Sequence, residues 1–163
     1  GPVKGKQNVF MMDALIKGCP NDFVEIIGEY LAAYEGLKGQ YENFRDKAVT
    51  IDEGSAKLMR FNNYVELAAG SQKSRATLLS LSVNALRLRM STPVAGLAEG
   101  AACTAKLYFQ VYQFTATGTV RSVERGVGDQ YTVTLEIQFT PELIEIVDDY
   151  FFRQSIQGRG RPS

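Results

Sequence analysis

Tyr131-Thr132-Val133-Thr134-Leu135-Glu136-Ile137-Gln138-Phe139 is the stretch that decides the fold. Tyr131, Val133, Leu135, Ile137 and Phe139 alternate with Thr132, Thr134, Glu136 and Gln138. Successive strand residues point to opposite faces, so this segment has one apolar and one polar face. It is a half-buried β-strand, and its neighbours read the same way.

Working back along the chain, strands are predicted at Tyr64–Ala69, Ala76–Leu81, Ala85–Met90, Cys103–Tyr112 and Thr115–Glu124. In the third, Leu86, Leu88 and Met90 alternate with Arg87 and Arg89. Arg125-Gly126-Val127-Gly128-Asp129 is a glycine-rich hairpin loop leading into the strand at Tyr131. Working forward, Thr140-Pro141-Glu142 starts a helix: Thr caps, Pro sits at the first helical position, and Glu142 complements the dipole. That helix is predicted over Thr140–Phe152. The expected fold is mainly β (α+β): a six-stranded antiparallel barrel with a closing C-terminal helix, plus an N-terminal helical segment.

Pro20-Asn21-Asp22 is a second helix start, with Asn21 or Asp22 as N-cap. Phe23, Ile26, Ile27, Tyr30, Leu31, Tyr34, Leu37, Tyr41 and Phe44 then recur at three- and four-residue steps, on one helix face. Gly28, Gly36 and Gly39 weaken it by about 1 kcal/mol each relative to Ala. The spacing predicts either one helix with a loose second half or two helices broken near Gly36–Gly39. Its aromatic face must pack, on the β domain or on another chain. Phe23, Ile27, Tyr30 and Tyr34 are the partner-contact candidates there, and Arg87 and Arg89 are those on the barrel.

The expected organisation is a cleavage scar and lead-in at 1–12, a helical segment and linker at 13–56, the barrel with its helix at 57–155, and a disordered tail at 156–163. The tail's polar, glycine- and arginine-bearing character begins at Gln154. Residues 46–57, with Asp52-Glu53-Gly54-Ser55, read as a linker or short hairpin connection.

Composition narrows the function. Lys plus Arg number 18 and so do Asp plus Glu, so no global charge draws nucleic acid or acidic membranes. No nucleic-acid polymer and no membrane span are expected. The 163 residues contain no His, which removes the usual neutral-pH general base and the commonest metal ligand. Cys19 and Cys103 form no CxxC pair and cannot build a zinc site. They read as free thiols in a reducing compartment, and the cytoplasm is the expected location. No motif places a base beside a serine, and no phosphate-cradling glycine loop is present. The chain reads as a non-enzyme with no metal and no cofactor.

The informative segment is Leu79-Ser80-Leu81-Ser82-Val83-Asn84-Ala85-Leu86-Arg87-Leu88, where two strands meet at a tight polar turn. Its hydroxyl and amide side chains can bond either the backbone or an incoming ligand. Arg87 and Arg89 lie on one strand face beside it: a solvated face, or a contact patch for an acidic partner or a phosphate.

The order of segments around this turn resembles a PilZ domain, a bacterial β-barrel module that usually senses cyclic di-GMP. Arg60-Phe61-Asn62-Asn63-Tyr64-Val65-Glu66-Leu67 is similar to the family's arginine-rich approach to its first strand. Leu79–Leu88 is similar to its Asp/Asn-x-Ser-x-x-Gly turn. Thr117-Gly118-Thr119-Val120-Arg121, the glycine hairpin and Val133–Phe139 are similar to its later strands, and Pro141–Gln154 to its closing helix. The resemblance spans roughly residues 57–155. It departs at the ligand motif. Ser82 keeps the family serine, but Ser80 stands where Asp or Asn is expected and Ala85 where Gly is expected. The paired arginines would fall near Met59 and Asn63; only Arg60, one position off, remains. Arg121-x-x-x-Arg125 has the right spacing in the wrong strand.

The resemblance therefore implies a signalling module of PilZ type that acts by protein–protein recognition, in signalling or motility, with weak or absent cyclic di-GMP binding. If the dinucleotide is a true ligand, Arg60, Asn63, Arg75, Ser80, Ser82 and Asn84 are the residues to hold it. Self-association through the N-terminal helix is a further expectation. A third reading, a barrel carrying a lipid or other hydrophobe, needs an unfilled interior; the large residues Phe109, Tyr131, Leu135 and Phe139 argue against it.

Overall fold

The computed structural model describes residues 20–92 and 95–159. The expected lead-in at 1–12, Cys19, and residues 160–163 of the expected tail lie outside them. The chain forms two compact units, residues 1–36 and 37–163.

The described part of the first unit is helical. It belongs to α1 (Asn21–Phe44), one uninterrupted helix whose last residues, from Leu37, fall in the second unit. Gly36 and Gly39 do not break it. The Pro20 carbonyl accepts from the N–H groups of Phe23 (3.1 Å) and Val24 (3.2 Å), so the helix starts one step earlier than expected. Asn21 and Asp22 are its first two helical residues rather than its cap.

The second unit continues through β1 (Ala48–Thr50), α2 (Glu53–Met59), β2 (Phe61–Ala69), β3 (Gln72–Ser82), β4 (Ala85–Met90), β5 (Ala102–Phe109), β6 (Gln113–Arg125), β7 (Tyr131–Ile137) and α3 (Pro141–Arg159). Six strands close into an antiparallel ring, β3-β2-β5-β6-β7-β4, because β4 pairs with both β7 and β3. Closure leaves no free sheet edge inside the ring. The inward residues fill it: Leu67, Leu78, Leu81, Leu86, Leu88, Leu107 and Leu135 are all but inaccessible. Phe109 and Leu135 are buried as expected, Tyr131 is half-buried, but Phe139 is not inward. It follows the end of β7, is 36% exposed, and meets Tyr41 edge-on at 5.3 Å.

Residues 46–57, expected as linker, contain a strand and a helix start. β1 pairs with the far half of β3: Ala48 opposite Ser82, Val49 opposite Leu81, Thr50 opposite Ser80. The Ile51 N–H then bonds the carbonyl of Leu79, the extra residue where the β3–β4 register shifts. α2 follows at once, through a reciprocal cap. The Asp52 carboxylate accepts from Ser55 N–H at 2.7 Å, and Ser55 Oγ accepts from Asp52 N–H at 2.8 Å. The Ser55 N–H, foremost, holds the Asp52 carboxyl below its ordinary range.

α3 opens as the sequence predicts, with Thr140 Oγ1 accepting from Leu143 N–H at 3.3 Å. It buries Leu143, Ile144, Ile146, Val147 and Tyr150. It runs on through Gln154–Arg159, so those residues are helix rather than tail. Within the same unit Phe44 stacks on Phe151 at 5.8 Å, and Leu37 and Tyr41 lie against the core.

Two consequences are measurable. Gly118 sits in β6 opposite Ile137, and a Cβ there would fall inside the contact radius of the Glu136 carbonyl oxygen. That neighbour is backbone and cannot swing away, so Gly118→Ala is expected to destabilise the fold by about 3 kcal/mol, read from the midpoint of urea unfolding. Cys103 is buried, with its S–H directed at the Gly118 carbonyl (3.7 Å). Burial pushes the thiol above its ordinary value of 9.0. In a Cys19→Ser chain a disulfide reagent should therefore modify Cys103 only as fast as the barrel opens. The unfolded chain loses this proton first, so the thiol's contribution to stability is complete below pH 9.0 and is lost as pH rises beyond it.

Candidate functional site

The β3–β4 turn is locked by its own side chains. Ser82 is buried, and its Oγ accepts from Ala85 N–H at 3.0 Å. The same hydroxyl donates to Asn84 Oδ1 at 2.8 Å, with the Ala85 carbonyl at 3.3 Å as a poorer acceptor. The Asn84 carbonyl accepts from Ile137 N–H at 2.8 Å, tying the turn to the end of β7. Ser82 and Asn84 thus come together, but bonded to the turn. Ser80, one pleat away, pairs with Thr50 on one side and Arg87 on the other. The backbone of β3 is engaged on both edges here.

Arg60 is the C-cap of α2. It is held in the left-handed region at φ 55°, with its N–H directed to the carbonyls of Ala56 and Lys57. Its own carbonyl accepts from Gln110 N–H at 2.9 Å. Asn63 is also left-handed, at φ 59°, within the stretch where the β2–β5 register shifts between Phe61 and Val65. Among the described residues no hydrogen bond or ion pair joins Arg60 to Ser80, Ser82 or Asn84.

A second cluster is more open. Tyr64, Arg75, Thr77, Arg89, Ser91 and Gln130 line a shallow groove of about 260 Å³ on the outer barrel face. Arg89 lies opposite Thr77 across β3 and β4. The Arg75 guanidinium sits over the Tyr64 ring at 5.4 Å, and Tyr64 stacks on Tyr108 at 4.8 Å with 24° between the planes. Lys106 sits over Tyr108 at 5.3 Å. Glu66, which faces Arg75 in register, forms its ion pair with Lys73 at 3.1 Å. Among the described residues Arg75, Arg87 and Arg89 have no carboxylate partner.

Of the residues singled out from sequence, the fold therefore joins Arg75 with Arg89, Ser80 with Arg87, and Ser82 with Asn84. It leaves Arg60 apart at the end of α2. Sequence reasoning missed Tyr64, Tyr108 and Lys106 as members of the outer face. Their alternation with buried neighbours was readable, but their meeting depends on the β2–β5 register.

Another groove, about 410 Å³, is acidic and lined by Tyr112, Glu142, Glu145, Ile146 and Asp149. Burial first, then Asp149 and Glu145, pushes the Tyr112 hydroxyl up. Among the described residues no cluster of three or more Cys, Asp or Glu is placed to hold a metal, and no helix is long and apolar enough to cross a membrane.

No protein-family model matches the sequence, and no curated protein matches it by sequence. Solved structures do. The Borreliella burgdorferi PlzA protein, in complex with c-di-GMP, matches with a TM-score of 0.58 at 13% identity, over 80% of this chain and 59% of that one. The K. pneumonia MrkH–c-di-GMP complex matches at 0.55 and 14% identity, over 71% of this chain and 53% of that one. The PilZ domain of YcgR from Escherichia coli with c-di-GMP scores 0.46 at 14% identity, over 69% of this chain and 91% of the domain. At such identities the likeness is one of fold, and the fold is PilZ-like. The chain spans 59% and 53% of the lengths of PlzA and MrkH.

If the Ser82 hydroxyl holds the turn, Ser82→Ala leaves the Ala85 N–H without its partner. The expected loss is about 1–2 kcal/mol, measured by chemical unfolding.

Proposed function

We propose that this chain is a non-enzymatic signalling module of PilZ type that works by protein–protein recognition, with cyclic di-GMP bound weakly or not at all. The observation that carries this reading is the state of the β3–β4 turn. Ser82, the one motif residue retained, spends its one donor on Asn84 and accepts from the Ala85 N–H, so no proton of the hydroxyl is left for a ligand. The sheet edge beside it is occupied by β1. No arginine stands at Met59 or Asn63, where the paired guanidiniums of the motif would fall. Each charge-assisted hydrogen bond is worth roughly 1.5–3 kcal/mol, so two missing bidentate grips weaken such a ligand by several orders of magnitude.

What the barrel offers instead is its outer basic face. Arg75, Arg87 and Arg89 lack acidic partners among the described residues, in a chain whose formal net charge is zero. Positive charge concentrated on one face steers an acidic protein surface toward it. That PlzA and MrkH were solved with c-di-GMP supports a place in the same kind of signalling. The cytoplasm is the proposed setting, in keeping with the reading of the cysteines as free thiols.

One observation favours a second reading, a cyclic di-GMP receptor with an altered site. Tyr64 and Arg75 already form a cation–π pair beside Arg89, an arrangement suited to a planar base and a phosphate. Titration calorimetry separates the two. With c-di-GMP raised to about 100 μM, the first reading expects no saturable heat, and a low-micromolar Kd rejects it. Should saturable heat appear, the second reading expects Arg75→Ala and Arg89→Ala each to weaken it about tenfold or more. Ser82→Ala would then act through stability alone.

A further inference from the structure

Phe23, Ile27, Tyr30, Tyr34, Leu37, Tyr41 and Phe44 follow one another at steps of four, three, four, three, four and three residues. This is a strict 3.5-residue repeat held within one continuous helix. An ideal helix drifts by about 20° per heptad from such a repeat, so the pattern suits a supercoiled seam between helices. With Ile27 and Tyr34 at a and Phe23 and Tyr30 at d, the flanking e and g positions are Val24, Leu31, Ile26 and Ala33, none of them charged. Glu25, Glu29 and Glu35 fall on the opposite side. An apolar face that takes in a, d, e and g is that of a helix in the core of a bundle.

The stripe has two halves. In the second unit its last members, Leu37, Tyr41 and Phe44, are half-buried against the core. In the first unit Phe23, Val24, Ile26, Ile27, Tyr30 and Leu31 are 37–69% exposed. At about 200 Å² of full surface per large side chain, these six present on the order of 650 Å². That exceeds what a monomer ordinarily leaves open in one patch, about 300–600 Å². Two copies together supply roughly 1,300 Å², within the range of about 1,200–2,000 Å² that stable interfaces bury.

We infer that residues 23–34 are the self-association surface of this protein, and that the occupant is the same face of a second copy. The repeat matches itself, and with no charge at its flanks it selects no acidic or basic partner. The helix also gains from such support, since Gly28 cuts its propensity by about 1 kcal/mol relative to Ala.

The test is the mass of the full chain by light scattering or sedimentation equilibrium, from about 1 to 100 μM, the span of ordinary self-association. The wild type is expected at a multiple of the single-chain mass. Ile27→Lys combined with Tyr30→Lys should return it to one chain mass with the urea midpoint of the barrel unchanged. Glu25→Lys on the opposite side, and Phe152→Lys on α3, should leave the multiple intact. A wild type that stays single throughout the range overturns the inference. So does a multiple that survives the double substitution. Dilution of the wild type supplies a reading that needs no variant: far-ultraviolet helicity should fall as the multimer dissociates, and helicity that stays constant while the mass drops also overturns it.

Discussion

Ring closure by β4 is the constraint on which this molecule rests. β4 is six residues long, yet it bonds β3 along one edge and β7 along the other. Once both ladders form, alternate residues of every strand have no choice of face. A slip of one residue would turn Leu86 and Leu88 outward and bring Arg87 and Arg89 into an interior packed with leucine. The basic outer face and the apolar core are thus two results of one register. The outward residues of β4 cannot change face without moving the inward ones.

β1 answers a local problem that closure creates. In the second half of β3 the residue-by-residue pairing with β2 has ended, its last pair being Val65 with Ala76. The edge from Ser80 to Ser82 would otherwise be bare on that side. Three residues of β1 cover it, and the Asp52–Ser55 cap turns the chain directly into α2. A strap of this kind stabilises the edge by engaging its backbone groups. The same pairing underlies the proposal of recognition over a receptor role, alongside the departures at the arginine positions.

The sequence was legible wherever periodicity ran long enough. β4 matches its expected span residue for residue, and β7 starts at Tyr131 as read, because alternation over six or more residues has no competing interpretation. α3 was readable from Thr140-Pro141-Glu142. β1 was not, since Ala48-Val49-Thr50 is too short to show a period. α2 was missed because Ser55 takes the place where the familiar cap has Glu or Gln. For the site, the departures at Ser80, Ala85 and the arginine positions were visible in the chain. Whether Ser82 faced a ligand or its own backbone was not, because the answer lies in the rotamer of one hydroxyl. The meeting of Tyr64 with Tyr108 was hidden by the register shift between Phe61 and Val65, which no one-dimensional pattern announces.

Arg60 and Asn63 bracket Phe61 with two left-handed residues, neither of them glycine. Arg60 gives up roughly 1–2 kcal/mol in local preference, and Asn63, whose short amide tolerates this region, less, so the local sequence does not by itself favour this elbow. It exists because Phe61 is buried against Phe109 and because Arg60 closes α2. The elbow is therefore a product of tertiary packing: the direction in which β2 leaves α2 is set by the ring of Phe61 seated on Phe109, and a change at that contact is felt at the end of the helix.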